Sequence, residues 1–373
     1  MDTDVVIIGA GVIGLAIGRK MSEEGHSVIV LEKEAVFGAG ISSRNTEVIH
    51  AGIYYQAGSL KARLCLRGKE LLYAHCRKYN IRHKRLGKIF LAVRTEEISR
   101  LEATRKQGEA NGVDDLVMLD QRDLEKMEPE IQGMAGLHSP SSGILDSHAL
   151  MKSLLRLGRN SGMIFAPNCE VIGAQRDSSG WNVRVRQDES LKCRVVINAA
   201  GLYAVSLSKA VFPDRKVPGF YPSKGSYARL SGESPVNHII YPAILPGVIE
   251  ERVDATPGLE GSLRFGPNIE EVKSLADFSV NAGVVSGMAH GIKRYLPLIE
   301  EERLHPDCSG IRPKIYGPKD PVEDFRFDWA EEPGWLDLWG IESPGLTASL
   351  AIAEHVYELI VKRALFEKER IKI

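Results

Sequence analysis

The chain has 373 residues, of which 43% are hydrophobic and 26% charged, a composition typical of a globular protein with a substantial core. Its 48 Lys and Arg residues nearly balance 49 Asp and Glu residues, which argues against partners attracted by positive charge, namely nucleic acid and anionic membranes. The five cysteines are odd in number and form no CxxC pair, so neither a disulfide framework nor a zinc or other metal site is expected. No transmembrane segment and no signal or transit peptide is visible, so the expected location is cytoplasmic.

The N-terminal segment has the pattern of a βαβ dinucleotide-binding unit. An apolar run at 4–8 predicts a buried parallel strand, which leads into a glycine-rich turn, a helix and a second apolar strand ending on Glu32. Gly9 permits a tight turn, Gly11 lets the backbone reach a pyrophosphate, and Gly14 lets the helix approach the strand. Glu32 can accept hydrogen bonds from ribose hydroxyls. The segment therefore predicts a site for an adenine dinucleotide.

A polar loop that turns apolar follows the second strand. Its Ser42, Ser43 and Arg44 are suited to phosphate binding, although the residues alone equally allow a solvated loop. His50 follows in the apolar part, where a histidine is either a buried structural residue or a catalyst. Tyr54 is a candidate wall of a site rather than a proton acceptor.

The rest of the chain alternates helical and strand patterns without an internal repeat. Helices are predicted at 59–80, 96–111, 120–127, from Asp146 or Ser147 to about 162, and at 284–296. Strands are predicted at 85–93, 163–167, 170–176, 181–187, 193–201, within 220–278, at 308–318 and at 335–340. A final helix is expected to have Ser343 as its N-cap and Pro344 as its first residue. With no linker visible, any second domain should be interleaved rather than appended.

Seven segments together resemble the L-2-hydroxyglutarate dehydrogenase family, which belongs to the FAD-dependent, D-amino-acid-oxidase-like superfamily. They are GAGVIGLAIG, SSRNTEVIHAGIYY, SLKARLCLRGKELL, GILDSHAL, VVINAAGL, SGIRPKIYGP and GIESPGLTASLAIAEHV. The resemblance implies FAD as cofactor and oxidation of a small 2-hydroxy acid, L-2-hydroxyglutarate above all, to the 2-keto acid by hydride transfer to flavin N5. It also implies a mitochondrial location if the source is eukaryotic. The electron acceptor stays open between a quinone, oxygen and a carrier.

The implied fold class is α/β (α+β), with a Rossmann-like FAD-binding domain interleaved with a β-sheet substrate domain. The expected boundaries are 1–80, 143–212 and 305–373 for the FAD-binding domain, and 81–142 and 213–304 for the substrate domain.

The candidate cofactor-binding residues are Gly9, Gly11, Gly14, Glu32, Lys33, Ser42, Ser43, Arg44, His50, Gly52, Ile53, Val171, Ala200, Gly201, Arg312, Gly345, Leu346 and Thr347. The N-terminus of the final helix is expected to stabilise negative charge on the reduced flavin ring. The candidate catalytic residues are His50, Arg312, Lys314, Tyr54 and Asp254. His50 is the candidate base, and Arg312 and Lys314 are the first candidates to bind a substrate carboxylate, followed by Lys224 and Arg229. Arg312 could instead contact a phosphate or form a structural pair.

One region departs from the family pattern. Where the family reads Gly-Val-His-Val/Ala-Thr before an FGP stretch, this chain has Arg252 to Thr256, which puts Asp254 in place of the histidine, and the preceding segment 244–251 also differs. This departure keeps two alternatives open. The first is an amine or amino-acid oxidase in which Asp254 binds a substrate ammonium. The second is a flavin- or nucleotide-binding partner protein that has lost turnover.

Overall fold

The computed structural model describes residues 1–243, 252–317 and 324–363, so the divergent segment 244–251 lies outside the described residues. The helices are α1 Val12–Glu23, α2 Leu60–Lys78, α3 Ile98–Ala110, α4 Gln121–Met127, α5 Ser147–Asn160, α6 Ala204–Val211, α7 Ala282–Lys293 and α8 Gly345–Lys362. The strands are β1 Thr3–Ile8, β2 Val28–Leu31, β3 Val48–Ile49, β4 His83–Lys84, β5 Lys88–Ala92, β6 Val117–Leu119, β7 Ala135–Ser139, β8 Gly143–Leu145, β9 Ile164–Ala166, β10 Val171–Asp177, β11 Gly180–Val185, β12 Ser190–Asn198, β13 Ser223–Leu230, β14 Ile239–Pro242, β15 Ala255–Pro257, β16 Leu263–Phe265, β17 Glu270–Glu271, β18 Leu304–Arg312, β19 Arg326–Trp329 and β20 Trp335–Trp339.

The first of two compact units comprises Met1–Ser43, Ser147–Tyr221 and Pro313–Ile373. Its sheet has the order β10-β11-β12-β1-β2-β9, and β20 pairs with both β12 and β19. The β12–β1–β2–β9 part and the β12–β20 pair are parallel. This is the Rossmann-like half that the βαβ pattern predicts.

The second unit comprises Arg44–Asp146 and Pro222–Arg312. Its main sheet has the order β17-β13-β16-β15-β14-β5-β7-β6, with β18 also paired to β13. Strand β5 shows how the sheet separates two cores. Ile89 and Leu91 join one apolar cluster that includes residues of α7, while Phe90 and Ala92 join another that includes Leu101 of α3.

The two units of the structure alternate along the chain, and their limits lie at other residues than the predicted domain boundaries. Residues 44–80, 143–146 and 305–312 lie in the second unit, and residues 213–221 lie in the first. Strand pairing gives the reason, because β3, β8 and β4 form a three-stranded sheet and β18 pairs with β13.

The start of the final helix also differs from the prediction. Pro344 is the N-cap, with φ −97° and ψ 37°, and the helix begins at Gly345, so Ser343 lies one position too early to cap it. The Gly345 N–H donates to the Glu342 carbonyl at 2.5 Å, and this turn precedes the first helical residue.

Candidate active site

The glycine-rich turn of the first unit has the tight geometry that dinucleotide binding requires. Gly9 has φ +103°, and a Cβ there would lie 2.6 Å from the Ala199 carbonyl oxygen. A Cβ on Gly14 would lie 1.9 Å from the Gly9 carbonyl oxygen, so any side chain would force α1 away from the turn. Gly11 occupies the N-cap of α1, where the first amides of the helix have no partner within the helix itself.

Polar side chains hold this turn in place. One oxygen of Glu32 accepts from the Ala10 N–H at 2.8 Å and the other from the Glu34 N–H at 3.0 Å. The Ser42 hydroxyl accepts from the Val12 N–H at 3.0 Å, and the Ser43 hydroxyl donates to the Gly38 carbonyl at 2.7 Å. Each oxygen of a carboxylate can accept more than one hydrogen bond, so Glu32 retains capacity for ribose hydroxyls.

The other candidates in the first unit surround the carboxyl-terminal edge of its sheet or neighbouring turns. The Lys33 ammonium lies 3.8 Å from the centre of the Tyr203 ring. Ala200 and Gly201 follow β12, and Gly201 has φ +56°. Val171 begins β10 at an irregularity in its pairing with β11.

The N-terminus of α8 supplies further amide donors in the first unit. The amides of Leu346 and Thr347 lie in the first turn of an 18-residue helix, and Thr347 is fully buried. Lys314 also belongs to this unit, where its carbonyl accepts from the Tyr221 N–H at 2.8 Å. Helix amides can donate to a pyrophosphate, and the Glu32 carboxylate can accept from ribose hydroxyls, so these residues fit an adenine dinucleotide such as FAD.

The second unit contains a buried cluster around His50. The His50 side chain is buried, and its Nδ1 lies 3.1 Å from the Tyr54 hydroxyl and 3.3 Å from Lys88 Nζ. Burial lowers the pKa of His50 well below its ordinary value, and the positive charges of Lys88 and Arg252 lower it further. His50 is therefore a neutral imidazole near pH 7, able to accept a proton.

Lys88 is a member of this cluster that the sequence interpretation missed. It is only 1% exposed, and its ammonium lies 3.8 Å from the centre of the Tyr241 ring. A signal was present, because Lys88 opens the apolar run Lys88–Ala92, where a charged residue on a core-facing position is unusual. The pattern of the run alone indicates a strand and gives Lys88 no further role.

Asp254 forms an ion pair rather than standing alone. Its oxygens accept from Arg252 Nε at 2.7 Å and from a terminal guanidinium nitrogen at 3.2 Å. Burial raises the pKa of Asp254, and Arg252, Lys88 and Arg312 oppose that rise. The Arg252 guanidinium also lies 4.6 Å from the Tyr241 ring centre. The pair makes Asp254 a poor partner for a substrate ammonium, which weakens the amine-oxidase alternative.

The remaining candidates of the second unit occupy varied positions. Arg312 ends β18 opposite Ser223. Burial raises the pKa of Tyr227 to about 12, and the positive charge of Arg312 opposes that rise. Arg44 belongs to this unit, and its guanidinium lies 4.2 Å from the Phe278 ring centre. Lys224 is paired with Asp277 at 3.1 Å.

Gly52 and Ile53 lie where the backbone between His50 and Tyr54 turns. Gly52 has φ +91°, and a Cβ there would lie 3.1 Å from the Leu66 side chain. The Ile53 side chain is buried in the same apolar cluster as Phe90, so only its backbone could serve a cofactor.

Within the described parts of the chain, no helix is long and apolar enough to cross a membrane. Among those same residues, no group of three or more His, Cys, Asp or Glu side chains is arranged to hold a metal ion.

Comparison with known proteins gives a match along nearly the whole chain. Residues 4–359 match the family described as FAD dependent oxidoreductase. The chain is 37% identical to a protein of Arabidopsis thaliana named "L-2-hydroxyglutarate dehydrogenase, mitochondrial", over 95% of this chain and 82% of that protein. It is 34% identical to the Homo sapiens protein of the same name, over 96% of this chain and 89% of that one. The FAD-bound, dithionite-reduced L-alpha-glycerophosphate oxidase of Mycoplasma pneumoniae is structurally similar, with a TM-score of 0.87, 25% identity and coverage of 96% and 94% of the two chains.

Proposed function

The chain belongs to the FAD-dependent oxidoreductase family, and on that premise we propose that it oxidises L-2-hydroxyglutarate to the corresponding 2-keto acid. The observation that carries the proposal is similarity along nearly the whole chain to the plant and human proteins named for this substrate. The buried, neutral His50 among cationic side chains supports it, since alcohol oxidation needs a base and a dicarboxylate needs positive charge.

The residues of the first unit are proposed to hold FAD. The turn of Gly9, Gly11 and Gly14 would receive the pyrophosphate, and Glu32 the adenosine ribose. The α8 N-terminus would face negative charge on the flavin. When bound, FAD supplies the acceptor for the hydride that leaves the substrate carbon.

The residues of the second unit are proposed to act on the substrate. His50 would take the hydroxyl proton, and Tyr54 would orient the imidazole through their 3.1 Å contact. Arg312 would bind a substrate carboxylate through its planar fork. The Arg252–Asp254 pair would contribute little net charge, so the dicarboxylate is not repelled.

The proposal is tested by anaerobic reduction of the purified, FAD-loaded protein. L-2-hydroxyglutarate should bleach the flavin absorbance, while D-2-hydroxyglutarate, glycine and L-proline should not. His50→Gln should keep its FAD and lose most of the reduction rate, about 100-fold or more for a general base. Bleaching by an amino acid without bleaching by the hydroxy acid would overturn the proposal in favour of an amine oxidase. Bleaching by neither would favour a protein without this turnover.

A further inference from the structure

Lys88 is buried behind His50, at a position from which it can determine the hydrogen bonding of the imidazole. Lys88 is 1% exposed and His50 9%, so both side chains are buried in the second unit. Lys88 Nζ and the Tyr54 hydroxyl both approach the same ring nitrogen, Nδ1, at 3.3 and 3.1 Å. Among the residues that the structure describes, no carboxylate forms an ion pair with Lys88.

The charge state of Lys88 has a direct consequence for His50. An ammonium group has three donors and no lone pair, so beside it Nδ1 must accept, and the single proton of a neutral imidazole then sits on Nε2. A neutral amine has a lone pair and can accept from an Nδ1–H, which leaves the lone pair of His50 on Nε2. The Tyr54 hydroxyl can donate or accept and is compatible with both arrangements.

Both charge states of Lys88 are accessible near neutral pH. Burial lowers the pKa of Lys88 to about 7, with Asp254 opposing the shift and Arg252 adding to it. The Cys65 thiol, whose own pKa is raised to about 12 by burial, is neutral in this range, although Lys69 and Lys88 oppose that rise. Tyr241, which lies under the ammonium, is likewise neutral because burial raises its pKa well above the ordinary value.

We propose that Lys88 is a positioning residue that determines which ring nitrogen of His50 carries the proton, and so switches Nε2 between hydrogen-bond donor and base. With Lys88 neutral, Nε2 would take the substrate hydroxyl proton while Nδ1–H stays bonded to Lys88, and bound FAD would supply the acceptor for the hydride and its two electrons. The choice of substrate rests on the proposed function, but the switch in His50 does not.

The kinetic test compares Lys88→Arg and Lys88→Met with the control Lys84→Met. Lys84 lies four positions earlier, is exposed, and donates to the Leu259 carbonyl at 2.8 Å, so its loss removes the same charge elsewhere. The readout is kcat/KM for FAD reduction between about pH 5.5 and 9, together with FAD content and Tm.

In the wild-type enzyme and in Lys84→Met, kcat/KM should rise with pH near neutrality. This rising limb of the pH profile reflects the coupled titration of the Lys88–His50 pair. Lys88→Arg carries a permanent positive charge, so activity should be at least about tenfold lower at alkaline pH and the limb should disappear. Lys88→Met should move the limb below about pH 6.5, because only His50, lowered by burial and Arg252, then titrates. An equal loss at every pH in both variants, with the limb unmoved, would overturn the proposal.

A second measurement needs neither the substrate nor a variant of Lys88. Nitrogen-15 NMR of histidine-labelled, FAD-loaded wild-type protein, with His50 assigned by His50→Gln, reports which ring nitrogen bears the proton. The signal should show protonated Nε2 at acidic pH and protonated Nδ1 at alkaline pH. One unchanged tautomer across this range would overturn the inference. A tautomer change in a protein that L-2-hydroxyglutarate does not reduce would support the switch and count against the proposed function alone.

Discussion

Replacing Arg252 by Met should change substrate preference, because it removes the partner that neutralises Asp254. A bare carboxylate about 4 Å from a substrate carboxylate repels it by about 4 kcal/mol at an effective dielectric constant near 20. The guanidinium, bound at 2.7 and 3.2 Å, contributes an attraction of similar size, which reduces the net repulsion to less than about 2 kcal/mol. The difference corresponds to about tenfold or more in kcat/KM.

The assay compares kcat/KM for L-2-hydroxyglutarate with that for a 2-hydroxy monocarboxylate of similar length. Arg252→Met should lower the ratio about tenfold or more near pH 8, and less at acidic pH, where the raised pKa of Asp254 lets the carboxyl become neutral. Arg252→Met combined with Asp254→Asn should restore the ratio, since no charge is left unpaired. Arg252→Lys is the matched control that keeps the positive charge and loses the bidentate geometry.

If Arg252→Met lowers kcat/KM equally for both substrates, the Arg252–Asp254 pair does not face the substrate, and the reasoning is wrong. The same reasoning applies to Asp254→His. The substitution removes the carboxylate and leaves the Arg252 guanidinium unpaired, so the ratio should rise about tenfold or more in favour of the dicarboxylate. An unchanged ratio would show that the pair does not face the substrate.

Three further outcomes are expected. Acid precipitation of the wild-type protein should release yellow FAD into the supernatant, while Gly11→Asp should yield colourless protein, because its carboxylate would meet the pyrophosphate; flavin kept in the pellet would indicate a covalent link. Arg312→Lys should raise KM at unchanged flavin content, and a parallel loss of flavin would assign Arg312 to the cofactor. Asp337→Asn should lower the free energy of unfolding, measured by denaturant titration, by about 2–4 kcal/mol. The reason is that buried Asp337 accepts from Trp335 at 3.0 Å and is paired with Arg215. A change within about 0.5 kcal/mol, the usual range for surface sites, would contradict this.

The dinucleotide half could be predicted from sequence because its signals are local. The turn at Gly9 and the approach at Gly14 follow from residues a few positions apart, and the structure has both. The His50 cluster could be predicted only in part. Lys88 and Asp254 come near His50 through a sheet in which β5 pairs with β14 and β14 with β15, and pairing between distant strands leaves little trace in a single sequence.

The domain boundaries show the same limitation. The position of the segment around His50, soon after the βαβ unit, favours the FAD-binding domain. Its two-residue strand β3 pairs with β8, and β8 pairs in turn with β4, which lies within the segment 81–142 expected in the substrate domain. Such short strands have no periodicity to read, so only the three-dimensional pairing reveals which unit they belong to.

The interleaved connectivity also governs how the protein can be made. In the first unit, β12 pairs along its second half with β20, and the segment Pro222–Arg312 of the second unit lies between them in the sequence. During synthesis from the N-terminus, backbone groups along part of one edge of β12 therefore stay unpaired until Trp335–Trp339 has left the ribosome. An apolar parallel strand with an open edge is a template for wrong pairing. A nascent chain stopped before β20 should consequently depend on chaperones far more than the finished protein, and neither unit can be obtained by cutting the chain at one point.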